Sequence, residues 1–489
     1  MPLLSDGQRQ VRPDPAPEPG RTARHRERRR RGTAAHRGGL RLARARAGTG
    51  GAVVKVAEAV GRALHAAGVE QVFGVVGSGN FHLTNAMVAA GARFVAARHE
   101  GGAATMADAY ARVSGTVAAV SVHQGPGLTN ALTGITEAAK SRTPLVVLAA
   151  EVTRPTSNFY VDQDALGAAV GAVPLRITSA EDAVEQACTA VRRALHERRT
   201  VLLNLPLEVQ ASDAPDGALA QAAAPPPRPA VEPAAAEVAA LTRLLEQSRR
   251  PVFVAGRGSR SPAARDALEA LAERCGALLA TSAVARGLFH GNPWSLDVSG
   301  GFASPLAAEL IGGADLIVGW GCALNMWTMR HGALIGADAT VAQVDDDPSA
   351  LGAHRELQLG VTGDVERTAR HVLAAFGGTR QGLRTPDIAE AVATRVRWRD
   401  LPYEDTSTRD RIDPRTLSIA LDDILPAERV IGVDSGNFMG HPSMFLSVPD
   451  QDGFCFTQAY QSIGLGLATA IGAALARPDR LPVAALGDG

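Results

Sequence analysis

Thr116-Val-Ala-Ala-Val-Ser-Val-His123-Gln-Gly-Pro-Gly-Leu-Thr-Asn130 decides the fold class. Its first half is a short run of apolar and small residues with no alternation, as expected of a strand buried on both faces. The run ends in Gly125-Pro-Gly127, and helical sequence begins at Leu128. A strand that turns through glycine into a helix is the repeating unit of a parallel α/β sheet. Reading outward, a strand at Pro144–Ala149 follows. Upstream, a helix at Val54–Ala67 leads to a strand at Gln71–Val76, and a strand at Arg93–Ala97 leads to a helix at Gly101–Ser114. The expected fold is α/β, each domain a mostly parallel sheet flanked by helices.

The alternation recurs in two further blocks. Strands are expected at Pro251–Ala255, Leu316–Gly319 and Thr340–Val344. A last set comprises the strand Val430–Val433, a helix over Ile463–Ala476 and the strand Val483–Leu486. The domain reading is an arginine-rich extension over 1–50, a first domain over 51–212 and an Ala/Pro linker over 213–236. A central Rossmann-like domain spans 237–376, a linker 377–412 and a third domain 413–489. The chain stops at Gly487-Asp-Gly489, just after a strand, so the third domain reads as incomplete.

Composition narrows the function classes. With 46% hydrophobic and 20% charged residues the chain is globular in type, and no apolar run is long enough for a membrane span. Four scattered cysteines (Cys188, Cys275, Cys322, Cys455) form no Cys-x-x-Cys pair, which argues against a zinc site and suits a reducing, cytoplasmic setting. The zero formal charge hides an asymmetry, because residues 1–50 hold thirteen arginines against four acids, or +9. That segment lacks apolar periodicity and aromatic residues, so a disordered extension is the expectation rather than a nucleic-acid-binding arm.

Three places carry chemistry. Glu100, in Arg98-His-Glu-Gly-Gly102, stands where a strand gives way to a small-residue helix, and ligands of open α/β sheets bind outside the carboxyl ends of strands. A helix-capping or surface glutamate is the alternative. His123-Gln124-Gly125, followed by Asn130, repeats the arrangement: it reads as an anion-binding turn or as a ligand-free glycine–proline turn. Asp488 between Gly487 and Gly489 suits a hard cation such as Mg²⁺, although the tripeptide alone is common. Gly256-x-Gly258 also follows a strand, but the third glycine of a dinucleotide fingerprint is absent.

Together and in order, these pieces resemble the thiamine-diphosphate enzymes of the acetolactate synthase, benzoylformate decarboxylase and pyruvate decarboxylase superfamily, over roughly residues 53–489. The resemblance rests on Gly74-Val-Val-Gly-Ser-Gly79, Arg98-His-Glu-Gly-Gly-Ala-Ala104, Ala107-Asp-Ala-Tyr-Ala-Arg112, Gly125-Pro-Gly-Leu-Thr-Asn130 and Arg142-Thr-Pro-Leu-Val-Val147. Arg250-Pro-Val-Phe-Val-Ala-Gly256, Val344-Asp-Asp-Asp-Pro-Ser349, Gly464-Leu-Gly466, Ala470-Ile-Gly-Ala473 and Gly487-Asp-Gly489 complete it. It implies that Glu100 is the glutamate that hydrogen-bonds the aminopyrimidine of thiamine diphosphate, with His123 and Gln124 as further catalytic candidates. Gly77, Ser78, Gly79, Gly125, Asn130, Gly436, Asn437, Ile463, Gly464, Gly487 and Gly489 would line the cofactor, Ile463 as the apolar wedge between its rings. The other reading of Ile463 is an ordinary core residue at a helix start. Asp488 would be the first Mg²⁺ ligand. The resemblance also implies a 2-oxo acid substrate and a homodimer or homotetramer with the cofactor between subunits.

The sequence departs from the acetolactate synthase pattern in several places. The asparagine expected as second metal ligand, about thirty residues past Gly-Asp-Gly, lies outside the sequence, so weak cofactor binding is expected of the 489-residue chain. Tyr160-Val-Asp162 stands where Phe-Gln-Glu is usual, with a glutamine displaced to Gln163. Cys322-Ala-Leu-Asn-Met326 stands where flavin-containing members carry Arg-Phe-Asp-Asp-Arg, which leaves FAD open. His123-Gln124 replaces Thr-Ser, so His123 is either an acid–base or substrate-binding group or a structural histidine. The expected activity is decarboxylation of a 2-oxo acid, pyruvate first, with carboligation. A simple decarboxylase or C–C lyase is the rival, and a non-catalytic or regulatory relative the alternative of another class.

Overall fold

A computed structural model describes residues 53–487. The expectations for the arginine-rich extension, Asp488 and Gly489 lie outside the described residues. The first sheet contains β1 (Gln71–Gly74), β2 (Arg93–Ala96), β3 (Ala118–Val122), β4 (Leu145–Glu151), β5 (Val173–Arg176) and β6 (Thr200–Pro206), in the order β2-β1-β3-β4-β6-β5. The second contains β7 (Pro251–Ala255), β8 (Leu278–Thr281), β9 (Ser295–Val298), β10 (Leu316–Trp320), β11 (Thr340–Asp345) and β12 (Leu359–Thr362), in the order β12-β11-β10-β7-β8-β9. A smaller third sheet runs β14 (Phe454–Cys455), β13 (Arg429–Val433), β15 (Leu481–Ala485). Within these sheets every pairing is parallel.

The runs without alternation are the central strands. Every residue of β3, β4, β6, β7 and β10 is buried, because helices cover both faces. Two sheets have a point where strand order reverses: between β1 and β3 in the first, and between β7 and β10 in the second. Loops leaving neighbouring strands diverge there, which opens a crevice at the carboxyl ends.

Helix boundaries follow local chemistry. The helix Glu100–Ser114 begins one residue before the expected Gly101: His99 caps it, its Nδ1 accepting from the Gly101 N–H at 3.1 Å. Gly115, at φ +71°, ends it. Pro126 opens the helix Pro126–Lys140, two residues ahead of the expected Leu128, since proline suits a first turn. The helix expected from Ile463 starts instead at Gly466. Gln461 at φ +59° and Gly464 at φ +95° are left-handed and hold residues 461–464 as a loop. The stretch 377–412, read as a linker, contains the helix Pro386–Arg395, capped by Thr385, and places Leu383 and Val392 in the apolar core beside β7 and β10. The Thr385-Pro386 start signal was the cue; the polar Arg397–Arg411 run obscured it.

The first and third sheets are joined through helices. A Cβ on Gly472 would lie 2.3 Å from Met106 O, so the helix Gly466–Ala476 lies directly against Glu100–Ser114. Beside this contact lies a buried ionic network. Arg112 donates to Asp108 Oδ2 at 2.6 Å, to Glu137 Oε1 at 2.7 Å and to the Phe456 carbonyl at 2.8 Å. Glu137 also accepts from the backbone N–H groups of Ala459 at 3.0 Å and Tyr460 at 2.6 Å. Removing one partner of such a network costs about 3–5 kcal/mol, since a charge is left buried alone. The Ala107–Arg112 motif thus holds the third sheet's loops to the first sheet's helices.

Candidate functional site

The sequence candidates fall into two clusters. The first sits at the reversal point between β1 and β3. Glu100, half-buried at its helix start, accepts through Oε2 from Asn130 Nδ2 at 3.1 Å. Its Oε1 faces Gly127, where a Cβ would stand 3.6 Å away. His123, directly after β3, packs edge-on to Phe159 at 5.5 Å between ring centres. Its Nδ1 faces the Gly79 N–H at 3.4 Å. Burial lowers the His123 pKa below the ordinary 6.5, against an opposing pull from the Glu100 charge, so the ring is neutral near neutrality.

Gln124 is buried, and its Oε1 has no hydrogen-bond partner among the described residues. A buried amide oxygen without a donor is costly, and this one is packed against Gly79 rather than open to solvent. Glycines let neighbouring side chains and backbone pack closely here. A Cβ would meet the His123 ring at 2.9 Å from Gly77, Gln124 Oε1 at 1.9 Å from Gly79 and Phe159 O at 2.5 Å from Gly125. The Gly77 N–H is capped by Asn80 Oδ1 at 2.8 Å, while Ser78 is exposed.

The second cluster lies at the carboxyl ends of β13 and β15. Asp434, buried after β13, accepts from the Ser435 N–H at 2.7 Å and from the Gly464 N–H at 2.9 and 3.1 Å to its two oxygens. Gly466 must be glycine, because a Cβ would lie 2.5 Å from Asp434 Cβ. Gly436 has φ +125°, Asn437 is exposed, and a Cβ on Gly487 would lie 3.1 Å from the Phe438 ring. Ile463 is 62% exposed in the 461–464 loop, so it is not a core residue at a helix start. Among the described residues no hydrogen bond links this cluster to Glu100, His123 or Gln124.

Asp434, Phe159 and Glu137 stand beside these clusters and were not among the sequence candidates. Asp434 sits at a strand end and was open to the same reasoning as Glu100. Phe159 and Glu137 act through tertiary contacts alone. Gln163, the displaced glutamine, is 2% exposed and donates to Asn204 Oδ1 at 2.8 Å, so it is a structural residue. Gly256 and Gly258 are accounted for by the chain itself: a Cβ on either would strike the backbone of Gly321 or Cys322, at 2.3–2.8 Å. Among the described residues no three His, Cys, Asp or Glu side chains are grouped to hold a metal, and no helix is long and apolar enough to cross a membrane.

Residues 54–171 match the family "Thiamine pyrophosphate enzyme, N-terminal TPP binding domain" and residues 238–372 match "Thiamine pyrophosphate enzyme, central domain". The chain belongs to the thiamine pyrophosphate enzymes. It is 28% identical to the sulfoacetaldehyde acetyltransferase of Rhodobacter capsulatus over 463 residues, 88% of this chain and 77% of that one. It is 30% identical to IlvB2 of Mycobacterium tuberculosis, named for the acetolactate synthase large subunit, over 418 residues, 82% of this chain and 74% of that one. It is also 29% identical over 448 residues to AruI of Pseudomonas aeruginosa, named for a 2-ketoarginine decarboxylase, covering 88% and 77%. The relatives of this thiamine pyrophosphate enzyme carry names for several different reactions.

Proposed function

We propose that this thiamine pyrophosphate enzyme cleaves the carboxyl group from a 2-oxo acid, pyruvate being the first candidate, and joins the remaining acyl unit to an acceptor. The observation that carries the reading is Glu100: a half-buried carboxylate with one oxygen held by Asn130 and the other turned to a glycine-lined space. When bound, the cofactor supplies a carbon nucleophile and an electron sink for bond cleavage beside a carbonyl.

In this reading Glu100 would hold the aminopyrimidine by a carboxylate hydrogen bond, with Gln124 packed behind it as a further candidate. His123, neutral at pH 7, moves protons at Nδ1 or Nε2 close to the reacting atoms. Phe159 packs edge-on against the His123 ring. Gly436, Asn437, Gly464 and Gly487 would receive the diphosphate, Asp434 holding the Gly464 turn in place, and Ile463 would support the rings. A Mg²⁺ ion at Asp488, which lies outside the described residues, belongs to the same proposal. Because no hydrogen bond links Glu100, His123 or Gln124 to the second cluster among the described residues, we infer a homodimer in which each completes the other's site. Exposed Tyr460, Leu467 and Ile471 beside Ile463 support that inference.

The imidazole of His123 favours one second reading, simple decarboxylation, in which protonation of the acyl unit replaces ligation. The deciding experiment supplies pyruvate, thiamine diphosphate and Mg²⁺, measures CO₂ release and identifies the product. A hydroxy-oxo acid supports ligation, acetaldehyde supports decarboxylation, and no cofactor-dependent CO₂ from any 2-oxo acid tested sinks both.

A further inference from the structure

The loop that carries Ile463 is fastened at both ends by buried carboxylates. Glu137, fully buried in the helix Pro126–Lys140, accepts from Ala459 and Tyr460 N–H at its start. Asp434 accepts from Gly464 N–H at its end. Between these anchors Gln461 has φ +59°, a left-handed conformation that a glutamine adopts only under constraint. Its backbone carbonyl accepts from Ser435 Oγ at 3.2 Å, which fixes the peptide. Its side chain is exposed, and its amide has no protein partner among the described residues. Glycine would take this backbone conformation freely. A glutamine held there against strain, two residues from the exposed Ile463, carries a polar group where the fold alone asks for none. Strain of this kind gathers at ligand-binding sites.

We propose that Gln461 is a specificity-determining residue whose amide N–H binds the acid group of the substrate beside Ile463. The inference rests on the functional reading above and deepens it by naming the group that selects an anionic substrate. Carboxylates accept such a bond strongly, whereas an uncharged carbonyl compound would gain little.

The test compares Gln461→Gly and Gln461→Glu with the unmodified full chain. Glycine relieves the left-handed strain, so Gln461→Gly is expected to melt at the same or a higher temperature without cofactor, which separates its effect from misfolding. With thiamine diphosphate and Mg²⁺, its KM for the 2-oxo acid should rise roughly tenfold with kcat nearly unchanged, the loss of one charge-assisted hydrogen bond. Gln461→Glu should raise KM further by repelling the anion. Binding of an unreactive phosphonate analogue of the 2-oxo acid, measured by calorimetry, should weaken in parallel. Measuring KM separately for donor and acceptor shows which acid group is held. Unchanged KM values and analogue affinity in a folded, active Gln461→Gly protein overturn this inference alone. Absence of cofactor-dependent turnover in the unmodified protein overturns the functional reading and this inference with it.

Discussion

Two Gly-x-Gly loops in this molecule occupy equivalent places and do different things. Gly77-Ser-Gly79 follows β1 and Gly256-Arg-Gly258 follows β7, each at the point where its parallel sheet reverses strand order. In the first, the missing side chains let the His123 ring and the Gln124 amide, side chains of the candidate site, pack close. In the second, they let the chain's own backbone at Gly321 and Cys322 close in. Glycine at such a loop therefore signals close approach, and the loops differ in whether candidate side chains or backbone approach.

The comparison is sharpest where the effect is largest. Glu100→Gln should lower turnover by about 10²–10⁴-fold, the usual contribution of a positioned acid–base group, in a protein whose melting temperature is unchanged. Loss of less than tenfold would remove Glu100 from the chemistry and make the first loop resemble the second. Next in size, Gly79→Ala would force Gln124 aside and press on Ala150 Cβ at 2.9 Å, so stability should fall by about 1–3 kcal/mol and cofactor affinity of the folded protein, measured by calorimetry, about tenfold or more. Gly258→Ala should cost stability alone: a Cβ 2.8 Å from Gly321 Cα overpacks two backbones. A stability loss of about 1–3 kcal/mol by denaturant titration is expected, with cofactor affinity retained in the folded fraction. If Gly258→Ala weakens the cofactor instead, the contrast between the loops breaks.

His123→Gln should lower kcat/KM about tenfold and alter the pH profile. The His123 pKa is lowered in the folded protein, so the neutral ring is lost only as pH falls below the ordinary imidazole range. The variant should lack that acid limb; an unaltered limb assigns it to another group. The smallest effect is expected at Arg257, inside the second loop. Burial first, then repulsion from Arg112, Arg142, Arg198 and Arg260, holds its pKa below the ordinary value. Stability should rise with pH wherever this guanidinium releases its proton in the folded state before the unfolded one. Arg257→Met removes the penalty and should raise the melting temperature by about 1–2 °C at pH 7. A fall would show that Arg257 supports the loop.

Much of the fold was legible because buried parallel strands are short apolar runs without alternation. Thr116–His123, Pro144–Ala149 and Pro251–Ala255 each overlap a strand. Glu100 and His123 stand out as candidates for a related reason: each is a titratable side chain near a strand's carboxyl end, beside glycine, where ligands of open α/β sheets bind. The start of the helix after Ile463 and the helix Pro386–Arg395 were missed. The first depends on a left-handed Gln461 that no propensity predicts, and the second was masked by the charged run that follows it.

The α/β class, the strand–turn–helix units and the family to which the ordered motifs point are all encoded within short windows of sequence. Which atoms close on each glycine, candidate side chains at Gly77 and Gly79 or backbone at Gly256 and Gly258, was settled by tertiary packing. Tertiary packing also decided that Gln163 is structural, that Gln124 holds an unpartnered oxygen, and that Glu137 and Asp434 hold the Ile463 loop from residues far away in the chain. Those properties depend on what stands across a gap of three ångströms, and the neighbour across that gap comes from another strand or another domain.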